Sequence, residues 1–414
     1  MTATATAQTY LRTPTATDDA LSARFRSVFD EISAGNVERE RQRTFPHEQV
    51  EWLKGAGLGR VRIPVEFGGF GASLQQTFAL LADLAEADAN VAHIWRNHLA
   101  FVEDRLNATA GPANDRWISR FLDGEFVGGG WTEANNGTFA SLKSTVRRDG
   151  DGWVVNGAKF YATGSLYADW LDVLGKDDDG TPLTALVRRA DPGVELVDDW
   201  TGFGQRTTAS GTANYRDVPA ADGDVFPATD RFVYQGHFYQ TAMLSVLTGV
   251  TRAVLRDGTA AIRARGRNYP AALDPTPALD PQLLQIVGQL SAYAFSAGAA
   301  LDRSSRTLDR VAEAHAAGDR DLPGERVLTA EVATAQAQLV IIDAALRATT
   351  EVFDALGASG VSDNLLLDRH WRNARTLSSH NPRVYKARIL GDWIVNDKDP
   401  VPNLAALGRG GQGD

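Results

Sequence analysis

The stretch STVRRDGDGWVVNGAKFYATG, residues 144–164, decides how this chain is read. Two runs of β-type residues flank an Asp-Gly step, the signal of a tight hairpin, because glycine takes the positive φ that such turns need. Further short runs follow: WLDVLG at 170–175, TALVRR at 184–189, GVELV at 193–197 and TANYRDV at 212–218, broken by Gly, Asp and Pro. Short strands with no long helices between them predict a sandwich or small barrel.

Outward from this segment the pattern is helical on both sides. LSARFRSVFDEISAG has apolar residues at helical spacing and ends on Gly35, and Ser73 is placed to cap a long unit running to Leu106, with a kink near Asn90. NDRWISRFLDGE predicts a last short helix before the strands. Beyond Asp230, four long amphipathic runs, 231–266, 281–316, 325–356 and 363–395, have the lengths of a bundle. The first two are separated by YPAALDPTPALDP, residues 269–281, whose four prolines force a loop; its length makes it a candidate lid. The organisation predicted is α+β, mainly α. A flexible tail spans 1–20, an N-terminal helical domain 21–124, a middle β-barrel or sandwich 125–228, a C-terminal four-helix bundle 229–400 and a second tail 401–414.

Composition narrows the function. With 42 basic and 52 acidic residues the net charge is -10, which argues against a general nucleic-acid binder. The absence of cysteine removes disulfides, thiolate zinc sites, iron–sulfur clusters and cysteine nucleophiles together. No apolar run approaches the roughly 20 residues that span a bilayer, and the Thr- and Ala-rich start lacks the form of a signal peptide. A cytoplasmic protein is expected, with no membrane or nucleic-acid partner.

Two features invite functional readings that fail. Gly55, Gly57 and Gly59 follow a helix-like segment in a GxGxG spacing, with no acidic residue some 20 positions on after a strand, so they read as a helix end and a loop, not a dinucleotide site. His93 and His98, five apart on one helix, point about 140° apart and cannot share a metal. No metal site is expected.

Five segments in order, IPVEFGGFGASL (63–74), GGGWTEANNGT (128–138), WVVNGAKFYATGS (153–165), GFGQRTTASGTANYRDVP (202–219) and LDRHWRNARTLSSH (367–380), resemble the acyl-CoA dehydrogenase fold superfamily. The resemblance implies a helical domain, a β-domain and a four-helix bundle that builds a homotetramer, with flavin between the β-domain and the bundle. It implies flavin contacts from Trp131, Thr132, Tyr161 and Thr163, a phosphate contact from Thr138, and an arginine near the phosphate at Arg267 or Arg263. Arg372 and Arg375 are expected in ion pairs of the bundle.

A dehydrogenase of this family needs a carboxylate to remove a proton, and here it is missing. After the RxAR motif the chain reads Leu377, Ser378, Ser379, His380, Asn381, and the run FVYQGHFYQTAMLSVLTGVTRAVLR (232–256) has no Asp or Glu. His380, with HIWRNHLA at 93–100, is similar instead to the superfamily's flavin-dependent (group D) monooxygenases, most of all the dibenzothiophene monooxygenase group. That resemblance implies FMN rather than FAD, taken as FMNH2 from a separate NAD(P)H-dependent flavin reductase. O2 then reacts through a C4a-hydroperoxyflavin with a small, largely apolar substrate, sulfur being the favoured atom. It implies catalytic roles for His380, His98 and Thr163, the histidine because its ordinary pKa near 6.5 lets it hold or give a proton. N-hydroxylation of an amine or amino sugar and aromatic hydroxylation belong to the same branch; an acyl-CoA dehydrogenase with an unusual base is a further alternative. Ser359 stands where sulfur-oxidising relatives often carry an arginine, which weakens both the phosphate anchor and the substrate class.

Overall fold

The computed structural model describes residues 9–134, 141–229, 231–317 and 324–402. In the first third, α1 (Asp18–Ala34) is capped by the Thr17 hydroxyl and followed by α2 (Asn36–Gln42) and α3 (His47–Ala56). Gly57, with φ of 88°, closes α3, so the glycine run is a helix end as read. Ser73 and Gln76 form a capping box at the start of α4 (Leu74–Ala87). The expected kink is a full break: Asp88 is extended (φ -158°) and its carboxylate accepts from the Asn90 and Val91 amides to start α5 (Ala89–Ile94). A second break at Trp95 precedes α6 (Arg96–Asn107), and α7 (Pro112–Leu122) completes the region.

The loose tail expected over residues 1–20 is corrected for its described part. Tyr10 and Leu11 are buried, the Tyr10 amide donates to Leu106 O, and α1 begins at Asp18. An aromatic and a leucine at the end of a polar stretch gain more from docking against Phe101, Leu106 and Trp117 than from solvation.

The middle region holds β1 (Val127–Gly130), β2 (Thr145–Asp149), β3 (Gly152–Lys159), β4 (Trp170–Lys176), β5 (Pro182–Arg188), β6 (Val194–Val197), β7 (Thr212–Ala220) and β8 (Val225–Pro227). Asp149 pairs with Gly152 across a two-residue turn in which Gly150 has φ of 57°, so the quoted hairpin forms where expected. The sheet order is β6-β7-β3-β2-β4-β5-β8, with β1 parallel to β4. β2 and β4 share a single pair, Thr145 with Lys176, and β5 touches β7 four places away, so the sheet curls on itself.

The last part packs α8 (Gln235–Ala264), α9 (Pro281–Ala316) and α10 (Gly324–Leu356) against one another, and α8 and α9 also pack against α4. The fourth run is two helices, α11 (Asp368–Ser378) and α12 (Arg383–Asn396). Pro382 explains the break, since it cannot donate to a helix and pushes the residue before it out of the helical region. His380 therefore sits in a loop between helices. Among the described residues α10 is the one helix long and apolar enough to cross a membrane, and its Ala330, Ala337, Ile341, Ile342 and Ala345 lie in the shared core.

Candidate active site between the β-domain and the bundle

The breaks at Asp88 and Trp95 turn His93, Arg96 and Asn97 towards the β-domain and the bundle. His93 is buried, and its Nδ1 donates to Gln205 Oε1 at 2.9 Å, since that oxygen only accepts. Its Nε2 is buried with no partner among the described residues. Burial, then Arg96, hold the His93 pKa well below the ordinary value. Arg96 Nη1 lies 3.1 Å from Met243 Sδ and 3.5 Å from His380 Nε2, and its guanidinium stands over the Tyr239 ring at 5.5 Å. The Arg96 Nε is also buried without a partner, and among the described residues no carboxylate reaches Arg96 or His380 as an ion pair.

His380 is exposed to solvent, with protein packed around the part of its ring that meets Arg96. That burial, with the Arg96 charge second, lowers its pKa. The solvent contact weakens the effect without changing its sign. Arginine can only donate, so Nε2 accepts and the neutral ring carries its hydrogen on Nδ1.

The β-domain presents the opposite wall. Asn97 Nδ2 and the Gly129 amide both donate to Thr163 O, at 2.9 and 3.2 Å, and the Phe160 amide donates to Thr132 O at 2.8 Å. These bonds lay the end of β1 beside the segment after β3, which brings Trp131, Thr132, Tyr161 and Thr163 together. Trp131 Nε1 donates to Asp172 Oδ2 at 2.9 Å; Asp172 is held by Arg231 at 2.8 Å, which also pairs with Asp104, so a buried ion network fixes the indole. Thr163 Oγ1 lies 2.8 Å from Ser210 Oγ, and Ser210 Oγ 2.7 Å from Thr208 Oγ1. Tyr161, Gln205 and Ala209 all have positive φ without being glycine, a cost of order 1–2 kcal/mol each that the surrounding bonds sustain.

Several expected residues stand elsewhere. His98 is buried 1% exposed, its Nδ1 accepts from the Val127 amide at 3.2 Å and its Nε2 donates to Gly59 O at 3.1 Å. Its ring stacks on Phe126. Both nitrogens are used, and burial pushes its pKa down to about 4. This is a structural histidine, and it explains Gly59: a Cβ there would stand 2.5 Å from His98 Nε2. Arg267 is exposed beyond the far end of α8, 21 residues past Met243, or about 31 Å along a helix, so within one chain it does not join the cleft. The Pro-rich loop starts at that same end and is pinned by Asn268 and Leu273 to Asp280, the cap of α9; within one chain it is no lid over His380. Arg372 pairs with Glu40 of the N-terminal domain and with Asp368, whereas Arg375 is exposed; the bundle pair is Arg369 with Asp257. Thr138 lies outside the described residues.

The sequence reading missed Arg96, Gln205 and Ser210. All three stand inside the quoted motifs HIWRNHLA and GFGQRTTASGT. A cationic residue on a helix turn with no acid three or four positions away to pair with it was the available signal for Arg96.

Models of the acyl-CoA dehydrogenase N-terminal, middle and C-terminal domains match residues 15–125, 128–218 and 242–382. A dibenzothiophene monooxygenase of Mycolicibacterium goodii is 27% identical over 387 residues, 89% of this chain and 92% of its own. A probable FMNH2-dependent monooxygenase, SfnC, of Pseudomonas putida is 28% identical over 396 residues, 92% and 95% of the two chains. The crystal structure of FMN-bound TdsC from Paenibacillus sp. A11-2 superposes with a TM-score of 0.85 at 25% identity, over 93% of this chain and 99% of that one. The chain belongs to the acyl-CoA dehydrogenase family, on the branch of its flavin-dependent monooxygenases.

Proposed function

We propose that the protein is the oxygenase of a two-component system: it takes FMNH2 from a separate NAD(P)H-dependent reductase and, with O2, oxygenates a small, largely apolar substrate at sulfur. One observation carries the reading. His380 and Arg96 share the cleft, and among the described residues no carboxylate pairs with either, so no dehydrogenase base stands beside them while hydrogen-bond donors remain. The sulfur preference rests on the relative named a dibenzothiophene monooxygenase.

The residues suit a flavin ring. Beside His380, His93 Nε2, Arg96 Nε and Gln205 Nε2 are buried with no partner among the described residues, and two of these nitrogens are donors able to meet a heterocycle rich in acceptors. Reduced flavin supplies the electrons that activate O2. Trp131, Thr132 and Tyr161 form the wall against which the ring would lie, and the Asp172–Arg231–Asp104 network keeps that wall fixed. His380, neutral and hydrogen-bearing at Nδ1, donates to oxygen in the cleft without placing a second full charge beside Arg96.

Assembly as a homotetramer belongs to the same proposal. Phe295 on α9 and Val384, Ile394 and Val395 on α12 are 66–78% exposed, a cost that a helix-to-helix interface would remove. Such an assembly would also give Arg267 and the Pro-rich loop a neighbouring chain to serve.

Purification separates this reading from a dehydrogenase. The protein is expected nearly colourless, binding oxidised FMN loosely and FMNH2 more tightly in anaerobic titration. Tightly bound yellow FAD that an acyl-CoA bleaches would overturn it.

A further inference from the structure

His380 stands in the short link between α11 and α12, and its own bonds do little to fix that link. Its amide donates to Leu377 O at 3.2 Å, and its Nε2 lies 3.5 Å from Arg96 Nη1. The next residue is gripped from two sides. Asn381 Nδ2 donates to Gln240 Oε1 of α8 at 2.7 Å, and Gln338 Nε2 of α10 donates to Asn381 O at 3.0 Å. Both glutamines are buried, Gln338 to 1% exposure.

The helix that follows does not need this grip in order to dock. Ile389, Leu390 and Trp393 of α12 pack with Val332, Ala335 and Leu339 of α10, and that apolar burial holds the helix. Gln338 is also a poor stabiliser where it stands. Its Oε1 is buried with no partner among the described residues, an expensive way to place an amide inside a bundle, where a leucine would fill similar space without the cost. What the two glutamines supply is position, one residue from His380.

We infer that Gln240, Gln338 and Asn381 are positioning residues that form a clasp: it holds the α11–α12 link where His380 meets Arg96, and its release lets the imidazole move out into solvent. The consequence for oxygen transfer rests on the proposed function, whereas the clasp itself does not. The titratable and charged groups that face His380 are Arg96 of α6 and His93 of α5, with Tyr239 of α8 against Arg96; the clasp adds no charge. Held beside Arg96 the ring takes its proton only well below the ordinary range, and released into water it titrates near 6.5.

The first test needs no flavin. Diethyl pyrocarbonate acylates the neutral imidazole, so its rate at His380, followed by peptide mass mapping from pH 5.5 to 8, reads the protonation of that ring. The parent should react at a level rate, whereas in Gln240→Leu, Gln338→Leu and Asn381→Ala the rate should rise about tenfold across the range, with a midpoint near 6.5. Asn381 is half-buried in a loop, so Asn381→Ala carries the test even where a core substitution weakens folding. Thr334→Val, a buried change on α10 one turn from Gln338 whose hydroxyl meets Ser304, is the control and should stay level. With FMNH2 and O2, the three clasp variants should bind FMNH2 as the parent does and lose product yield as pH rises from 6 to 8, where the parent is flat. Level acylation profiles in folded clasp variants, a tenfold rise in Thr334→Val, or a parent whose His380 itself titrates near 6.5 would overturn the inference. Shifted profiles in a protein that oxygenates nothing would leave the clasp standing and overturn the proposed function.

Discussion

His380→Ala is expected to cut the yield of oxygenated product per FMNH2 at least tenfold, with FMNH2 binding nearly intact and the lost electrons recovered as H2O2. The His380 ring is reached by Arg96 Nη1 at 3.5 Å and carries no structural bond of the kind that holds His98, so its removal leaves the packing in place. General acid–base and hydrogen-bond donation by a positioned side chain is worth about 10²–10⁴-fold, and water admitted to the space restores part of it. His380→Glu should fail as well, because a carboxylate there would pair with Arg96 and repel developing negative charge on oxygen. The pH dependence distinguishes this role from that of an ordinary histidine. Burial and Arg96 lower the His380 pKa, so the ring is neutral throughout pH 6–8 and product yield should be flat there, where an imidazole titrating near 6.5 would lose its proton and its effect. Parent yield in His380→Ala, or a yield that halves near pH 6.5, contradicts the role.

Acid should unfold this protein early and steeply. Burial lowers the pKa of three enclosed histidines, His98 and His370 to about 4 and His93 well below its ordinary value. For each, the unfolded chain takes a proton near pH 6.5 while the folded chain refuses it until far lower pH. The unfolded state therefore binds more protons across that window, and stability is full above pH 6.5 and falls as pH drops. Each group contributes up to about 1.4 kcal/mol per pH unit, so the three together remove on the order of 4 kcal/mol per unit between about pH 6 and 4. Two such units remove about 8 kcal/mol, over half of even the upper end of an ordinary domain stability of about 5–15 kcal/mol. The urea midpoint measured at pH 7.5, 6, 5.5 and 5 should fall progressively, with an uptake approaching three protons on unfolding. A midpoint unchanged from pH 7.5 to 5 would show that these histidines are not buried as neutral rings.

The fold was legible where local chemistry is unambiguous. The Asp-Gly hairpin, the Ser73 cap and the glycine end at Gly57 each depend on residues within four positions of one another. The site was legible as a set of motifs but not as a set of partners. Nothing near His98 in the chain says that its nitrogens are bound by Gly59 and Val127, 39 and 29 residues away, and so a structural histidine read as a catalytic one. Arg96 was passed over for the opposite reason: what marks it is the lack of a carboxylate around it, which depends on how α6, α8 and the loop at His380 converge. The break that frees His380 was written in Pro382, and continuity of the amphipathic pattern across 363–395 concealed it. Arg267 and the Pro-rich loop show a different limit, since a role at the flavin would require a second copy of the chain.

The central claim is that the protein passes oxygen from O2 to a sulfur compound with electrons from FMNH2. Its most direct test is to mix the anaerobic protein–FMNH2 complex with 18O2 and a panel of aryl and alkyl sulfides, then measure the label in the product by mass spectrometry. The account predicts sulfoxide carrying one 18O atom, formed in proportion to FMNH2, with little H2O2. Sulfides recovered unchanged and all electrons accounted for as H2O2 would contradict it.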